Sequence, residues 1–314
     1  MKALVTGAAG FIGSHISEYL VKAGYTVVGV DAFTDYYARE VKERNIAALR
    51  RDNGFTLCES TLANADWPRL LDDVSCVFHL AAQAGVRKSW GQHFRVYTEN
   101  NVEGTQTLLE ACKGRPLERF VYASSSSAYG DEVPMPMRED ARPQPVSPYG
   151  VTKLAAEQLC HLYHVNYSVP AVSMRYFTVY GPRQRPDMAF HRFFRAAMRG
   201  EPVTVFGDGE QTRDFTFVTD AVSATINAGT RGRPGSVYNI GGGSRVALRE
   251  VFELISAITG RPLKLKTIDA QPGDMRDTYA DTGCARADLG FVPAVSLEQG
   301  LRAQFEWMTE AALF

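Results

Sequence analysis

Apolar residues along the first half of the chain fall into short runs separated by longer stretches in which they recur every third or fourth position. The runs Ala3–Val5, Thr26–Val30, Cys76–Leu80, Arg119–Ala123 and Ala171–Met174 predict strands buried on both faces. The periodic stretches Gly13–Ala23, Val96–Cys112 and Tyr149–Tyr167 predict amphipathic helices between them. Strand and helix in alternation imply an α/β fold, a Rossmann-type doubly wound parallel sheet covered by helices. The polar segment 32–51 carries no clear period. Beyond Arg175 the texture changes. Proline, glycine and arginine gather in TVYGPRQRPDM, FGDGEQTRDF and QPGDMRD, with apolar-faced helices expected at Ala247–Thr259 and Leu297–Met308. The expected division is a dinucleotide-binding unit over 1–175, with a returning segment near 214–240, and a smaller C-terminal substrate-binding lobe over 176–314. The lobe should close over the carboxyl ends of the strands, where sheets of this kind hold ligands.

Composition narrows the classes. The 314 residues hold 34 Lys and Arg against 35 Asp and Glu, so no basic field for nucleic acid exists. The five cysteines, Cys58, Cys76, Cys112, Cys160 and Cys284, are scattered without metal-ligand spacing, and no metal is expected. An odd count fits reduced thiols in a cytoplasmic protein. The N-terminal MKALVTGAAGFIGSHI is interrupted by Gly7, Gly10 and Gly13 and reads as neither a signal peptide nor a membrane span.

That glycine segment is a strand running into a turn and then a helix. Gly7 permits the turn, Gly10 lets the backbone approach a pyrophosphate, and Gly13 allows close helix–strand packing. The helix N-terminus offers free N–H groups to phosphates. Glycines at this looser GxxGxxG spacing also mark plain structural turns. Asp31 shifts the balance toward a cofactor site: it ends the second strand, where a carboxylate accepts hydrogen bonds from an adenosine ribose and repels a 2′-phosphate. The expected cofactor is NAD rather than NADP.

Ser147-Pro148-Tyr149-Gly-Val-Thr-Lys153 carries the chemistry. Ser147 is a good N-cap and Pro148 suits the first helical position. Tyr149 and Lys153 then share one face at i and i+4. An ammonium near a phenol should lower its pKa and make it a general base. Upstream, the strand Arg119–Ala123 runs into Ser124-Ser125-Ser126-Ser127-Ala-Tyr129-Gly130, placing hydroxyls at a strand end. Taken alone, the pair also fits a surface tyrosine beside a solvated lysine, and the serines a polar turn.

GAAGFIG, HLAAQ (His79–Gln83), NVEGT (Asn101–Thr105), SSSSAYG and SPYGVTK together resemble the extended short-chain dehydrogenase/reductases, a family of nucleotide-sugar epimerases, dehydratases and decarboxylases. The resemblance covers nearly the whole chain. It implies Tyr149 as the base, Lys153 as the group that tunes it and orients the nicotinamide ribose, and Ser125 at the catalytic Ser/Thr position. It also implies cofactor contacts at Gly7, Gly10, Phe11, Ile12, Gly13, Asp31, Leu80, Ala81, Ala82, Gln83 and Asn101. Thr61 stands where the family often keeps an adenine-side Asp.

The resemblance also implies a reaction. Dehydratases of the family carry Asp-Glu directly after the catalytic hydroxyl, and decarboxylases keep a Glu at the second of those positions. Here both are serine, Ser126 and Ser127, which favours simple epimerisation. Thr178, in RYFTVYGP, replaces a sugar-binding Asn of many relatives. With GVRKSW and RQRPDMAFHRF, it resembles the branch that epimerises UDP-glucuronic acid at C4. Ser126, Ser127 and Thr178 would bind the sugar carboxylate, with Arg87 or Arg185 balancing its charge and Arg192 nearby. Arg213 and Arg276 match diphosphate-binding positions, and Met188 and Phe190 the stretch that packs on uracil. The partner is thus a UDP-sugar, and relatives pair through two helices, here Val96–Cys112 and Tyr149–Tyr167, as a homodimer. UDP-glucose or UDP-N-acetylglucosamine epimerisation remains open, as do a decarboxylase or dehydratase and a non-enzymatic NAD sensor.

Overall fold

The computed structural model describes all 314 residues, Met1–Phe314. The apolar runs become strands β1 (Lys2–Thr6), β2 (Thr26–Asp31), β3 (Phe55–Glu59), β4 (Cys76–His79), β5 (Arg119–Ser125) and β6 (Ala171–Tyr176). Further on come β7 (Thr178–Tyr180), β8 (Pro202–Phe206), β9 (Thr212–Phe217), β10 (Val237–Ile240), β11 (Arg245–Ala247) and β12 (Lys264–Ile268). Seven of them form one all-parallel sheet in the order β10-β6-β5-β4-β1-β2-β3. The chain is a Rossmann-like α/β protein with a smaller C-terminal lobe.

The sheet separates two cores, which explains why its strands lack a polar face. Ala3 and Val5 pack on one side and Leu4 on the other; Val121 and Ala123 oppose Phe120 and Tyr122 in the same way. Helices Phe11–Lys22 and Val218–Arg231 pack against each other, the latter also touching β4, β5 and β6. Helix Pro148–Tyr167 packs on β5 and β6.

Ser147 and Pro148 start that last helix as expected, the Ser147 hydroxyl accepting from Gly150 N at 3.1 Å. Three features differ from the sequence pattern. The expected continuous helix Val96–Cys112 is α-helical over Phe94–Tyr97 and Gly104–Cys112, but π-helical over Thr98–Glu103. The widened turn coincides with Asn101, whose amide is bound to the neighbouring loop rather than left on a helix face. The polar segment 32–51 contains the α-helix Arg39–Asn45 and the single turn Leu49–Arg51. Strand β3 has no run of apolar residues because it is an edge strand, buried only at Phe55.

In the segment 214–240, β9 lies in a separate three-stranded sheet with β7 and β11, and β10 joins the central sheet beside β6. Strands β8 and β12 form a two-stranded ribbon in the C-terminal lobe. The five cysteines are all free thiols. No helix is long and apolar enough to cross a membrane.

Candidate active site

Every strand from β1 to β6 ends at one cavity of about 410 Å3. Gly7 follows β1, Asp31 ends β2, Thr61 follows β3 and Leu80 follows β4. Ser124 and Ser125 end β5, and Tyr176 ends β6; all of these line the cavity. The strand order reverses between β1 and β4, so the cavity sits at the switch point where crossovers diverge to opposite faces.

The glycine loop is built for close backbone packing. Gly7 has φ +68°, a left-handed value, and a Cβ on Gly13 would stand 2.1 Å from Gly7 O. Gly7, Gly10, Phe11, Ile12 and Gly13 all face the cavity. The Asp31 carboxylate accepts N–H bonds from Ala9 (3.1 Å) and Phe33 (2.9 Å). Lys42 Nζ lies 3.5 Å from the same carboxylate, and both side chains are buried to within 8 %. Lys42 carries no signal in the sequence because it lies in the segment without a clear period, yet the helix Arg39–Asn45 brings it to the cavity wall beside Thr34, Tyr36 and Tyr37.

Leu80, Ala81, Ala82 and Gln83 line the cavity directly beside the glycine loop, where a Cβ on Gly7 would stand 2.9 Å from Ala81 N. Asn101 does not reach the cavity. Its amide donates to Gln83 O (3.0 Å) and Thr152 Oγ1 (3.0 Å) and accepts from Gln83 N (2.7 Å), so it pins the loop from behind.

Tyr149, Lys153, Ser125, Ser126, Ser127 and Thr178 converge at the other end of the cavity. Tyr149 is fixed at both ends, its N–H donating to Ser89 Oγ (3.1 Å) and its ring meeting Tyr97 edge-on at 6.2 Å. The expected lowering of the Tyr149 phenol by Lys153 is not seen. Burial pushes the phenol above its ordinary value, while the Ser125 hydroxyl and the charge of Arg185 pull it back. Lys153 itself lies over the Tyr122 ring, 4.6 Å from its centroid, and burial pulls its ammonium down to about 7.

The arginines separate. Arg185 lines the cavity, holding Asp187 through two 3.0 Å bonds, and Asp187 accepts from Tyr36 Oη at 3.3 Å. Arg87 does not line it: its guanidinium forks onto Asp274 and stacks 3.6 Å from the Phe206 ring centroid. Arg276 forks onto Asp208, and Arg192 is exposed. Arg213 donates to the carbonyls of Thr212, Met275 and Arg276. Met188 borders the cavity, but Phe190 is buried against Tyr180 and Phe215 and is a core residue.

Residues 3–241 match the model of the NAD dependent epimerase/dehydratase family. A Bacillus subtilis (strain 168) protein named as an uncharacterized UDP-glucose epimerase is 44% identical over 313 residues, covering 98% of each chain. A UDP-glucuronate 4-epimerase of Thermodesulfobacterium geofontis is 36% identical, covering 98% of this chain and 96% of its own. The crystal structure of a UDP-glucuronic acid 4-epimerase from Bacillus cereus, with UDP-glucuronic acid and NAD, superposes with a TM-score of 0.96. It is 44% identical, covering 99% of this chain and 100% of that one.

Proposed function

The chain belongs to the NAD-dependent epimerase/dehydratase family, and we propose that it interconverts UDP-glucuronic acid and UDP-galacturonic acid by inverting C4. One observation carries the reading. Around Tyr149 the cavity wall offers the hydroxyls of Ser125, Ser126, Ser127 and Thr178 and the guanidinium of Arg185, and the only carboxylate lining the cavity is Asp31 at its far end. Elimination of water or protonation at C5 needs a second acid or base beside Tyr149 and Lys153, and no carboxylate lines that end of the cavity, the nearby Asp187 being held by Arg185. A sugar carboxylate, in contrast, is matched by hydroxyl donors and one arginine. The Bacillus subtilis relative is named for UDP-glucose, whose neutral C6 would leave the Ser126, Ser127 and Thr178 hydroxyls without a charged acceptor, whereas Arg185 keeps its Asp187 partner with either sugar.

The glycine loop, Asp31, and Leu80–Gln83 fit a dinucleotide, because a side chain at Gly13 has no room while the loop's face toward the cavity stays open. NAD bound there would supply the acceptor for the C4 hydride and the donor that returns it to the opposite sugar face. Tyr149 takes the C4 hydroxyl proton, with Ser125 sharing it, and gives it back at the end of the turnover. Lys153 holds the nicotinamide ribose and offsets charge on the phenolate. The 4-keto hexuronate is a β-keto acid, prone to lose CO2 when its C5–C6 bond aligns with the carbonyl π system. Ser126, Ser127, Thr178 and Arg185 hold that bond near the ring plane. Residues 176–314 supply most of the nucleotide-sugar site, and Arg213, Arg276 and Arg87 meet the diphosphate by exchanging their present partners. The exposed Val151, Leu162, Val165 and Tyr167 of helix Pro148–Tyr167, together with Phe94 and Val96, favour pairing as a homodimer; the cytoplasm suits the free thiols.

The test is incubation with UDP-glucuronic acid, UDP-glucose and UDP-N-acetylglucosamine without added NAD. Turnover of the first to a product of unchanged mass is expected. Preferential turnover of UDP-glucose, or loss of CO2 by the unaltered enzyme, overturns the proposal.

A further inference from the structure

Beneath the serine turn lies a buried charge pair that the reaction does not directly use. Tyr149, Lys153 and Glu157 stand at i, i+4 and i+8 on helix Pro148–Tyr167, so the face that carries the base and its lysine continues into a carboxylate. Glu157 is 2% exposed. Its Oε2 accepts from Ser124 Oγ at 2.6 Å and from Arg175 Nε at 3.0 Å, and its Oε1 from Arg175 Nη2 at 2.6 Å. Ser124 precedes Ser125, the hydroxyl at the Tyr149 phenol. Arg175 also donates to Glu139 O at 3.2 Å and lies over the Tyr129 ring at 4.5 Å, so the pair fixes both ends of the segment Ser124–Tyr129.

We propose that Glu157 is a positioning residue for the Tyr149–Lys153 pair: it holds the serine turn through Ser124 and supplies the negative charge that lets Lys153 stay an ammonium in a buried site. Lys153 forms no ion pair of its own and is only 3% exposed. Burial opposes its charge, while Cys160 and Glu157 on the same helix favour it. The other groups facing this cluster are Tyr122 on β5, His79 on β4 and Arg175 on β6. His79 is neutral, held down to about 3 by burial and by Lys153, and Tyr122 stays protonated, so neither supplies a counter-charge. Burial pushes the Cys160 thiol up, so it stays protonated and Glu157 is the one formal anion on this face; Arg175 in turn keeps Glu157 from being a bare buried anion.

This inference rests on the epimerase reading for its kinetic arm only. Glu157→Gln keeps the shape but leaves Arg175 unpaired, which endangers folding; the pair Glu157→Leu/Arg175→Met removes both charges and preserves apolar packing. In Glu157→Gln the alkaline limb of kcat should move down by about one pH unit, because the lysine loses its proton earlier, and in the double variant by less, because the Arg175 cation leaves with the carboxylate. Ser124→Ala keeps the charge but frees the turn, so kcat should fall by about a hundredfold with KM steady and the alkaline limb unmoved. Carbon NMR of ε-labelled lysine, with the Lys153 signal assigned by its loss in Lys153→Met, reads the same displacement without substrate. If no UDP-sugar is turned over by the unaltered protein, the epimerase reading fails and the NMR titration decides this proposal alone. A folded Glu157→Gln protein whose Lys153 titrates at the unaltered midpoint, or a folded Ser124→Ala protein with unaltered kcat, overturns it.

Discussion

Replacing Asp31 by Asn keeps the shape of the residue and one acceptor oxygen while removing its charge. The side chains of Asp31 and Lys42 are 8% and 7% exposed and stand 3.5 Å apart, so the substitution strands a buried ammonium. Its remaining neighbours are weak substitutes: Thr34 Oγ1 at 3.5 Å and the ring of Tyr37 at 5.2 Å. Breaking one side of such a pair costs about 3 kcal/mol. For a chain of this size that lowers Tm by about 6 °C. Asp31→Asn/Lys42→Met removes the stranded charge and should recover that part of the loss, leaving about 1–3 kcal/mol for the backbone N–H of Ala9 or Phe33 that now faces the amide NH2. Cofactor selectivity should follow the charge rather than the stability. With Asp31 neutral, Lys42 becomes an unopposed cation at the adenosine end of the cavity, and the affinity for NADP relative to NAD should rise about tenfold. The double variant should lose that gain. Thermal unfolding and titration with both cofactors are the assays. An Asp31→Asn protein that melts within about 1 °C of the original, with an unmoved cofactor ratio, would refute the pairing argument.

Tyr149→Phe should lower kcat about a thousandfold while leaving UDP-sugar affinity, read by calorimetry, nearly unchanged. Gly13→Ala forces a Cβ to 2.1 Å from Gly7 O, so the loop must open; a loss of about 3 kcal/mol and less NAD in the purified protein are expected. Thr178→Ala combined with Ser127→Ala should release a 4-keto-pentose nucleotide from UDP-glucuronic acid, detected by mass, and its absence would end the carboxylate-clamp argument. Stability should also fall with acid through the buried histidines. His15, His79 and His191 are held at about 4, 3 and 4 by burial, below the unfolded 6.5, so their unfolded forms take up protons first as pH drops. Each then costs up to about 1.4 kcal/mol per pH unit between its two values. Asp214, raised to about 6 by burial, runs the other way and loses its contribution as pH rises. His191, whose Nδ1 is buried without a partner, isolates one share: the stability of His191→Phe relative to the original should improve from pH 7 toward pH 4 in denaturant titrations.

The sheet was legible because its strands carry apolar residues on both faces, and the helices because their apolar stripes keep one period. Tyr149 and Lys153 could be placed together because the N-cap Ser147 sets the helix start and so decides which residues share its face, whereas the serine turn, at the end of a different element, is joined to them by the family resemblance. What escaped depends on contacts distant in sequence. Lys42 belongs to a short polar helix whose only signature is its meeting with Asp31. Asn101 looked like a cofactor ligand in linear sequence, but the π-helical turn points its amide at Gln83. Arg87, Arg185, Arg213 and Arg276 cannot be told apart by composition, since their carboxylate or carbonyl partners come from other segments. In linear sequence Phe190 reads as a nucleotide contact, yet it follows Ala189 into a helix whose buried side joins Tyr180 and Phe215.

The place of β10 beside β6 also bears on how the protein is made and remade. The outer edge of β6 has no partner until Val237–Ile240 has left the ribosome, and at about 5–20 residues per second that delay lasts several seconds. During it, a fully buried strand presents unpaired amides and carbonyls to any neighbouring nascent chain. A chimera that borrowed a foreign sugar lobe after Arg175 would have to import a strand able to seal that edge in parallel register. The segment beyond Arg175, to which sugar selection is assigned under the proposed function, is therefore also the piece that finishes the sheet.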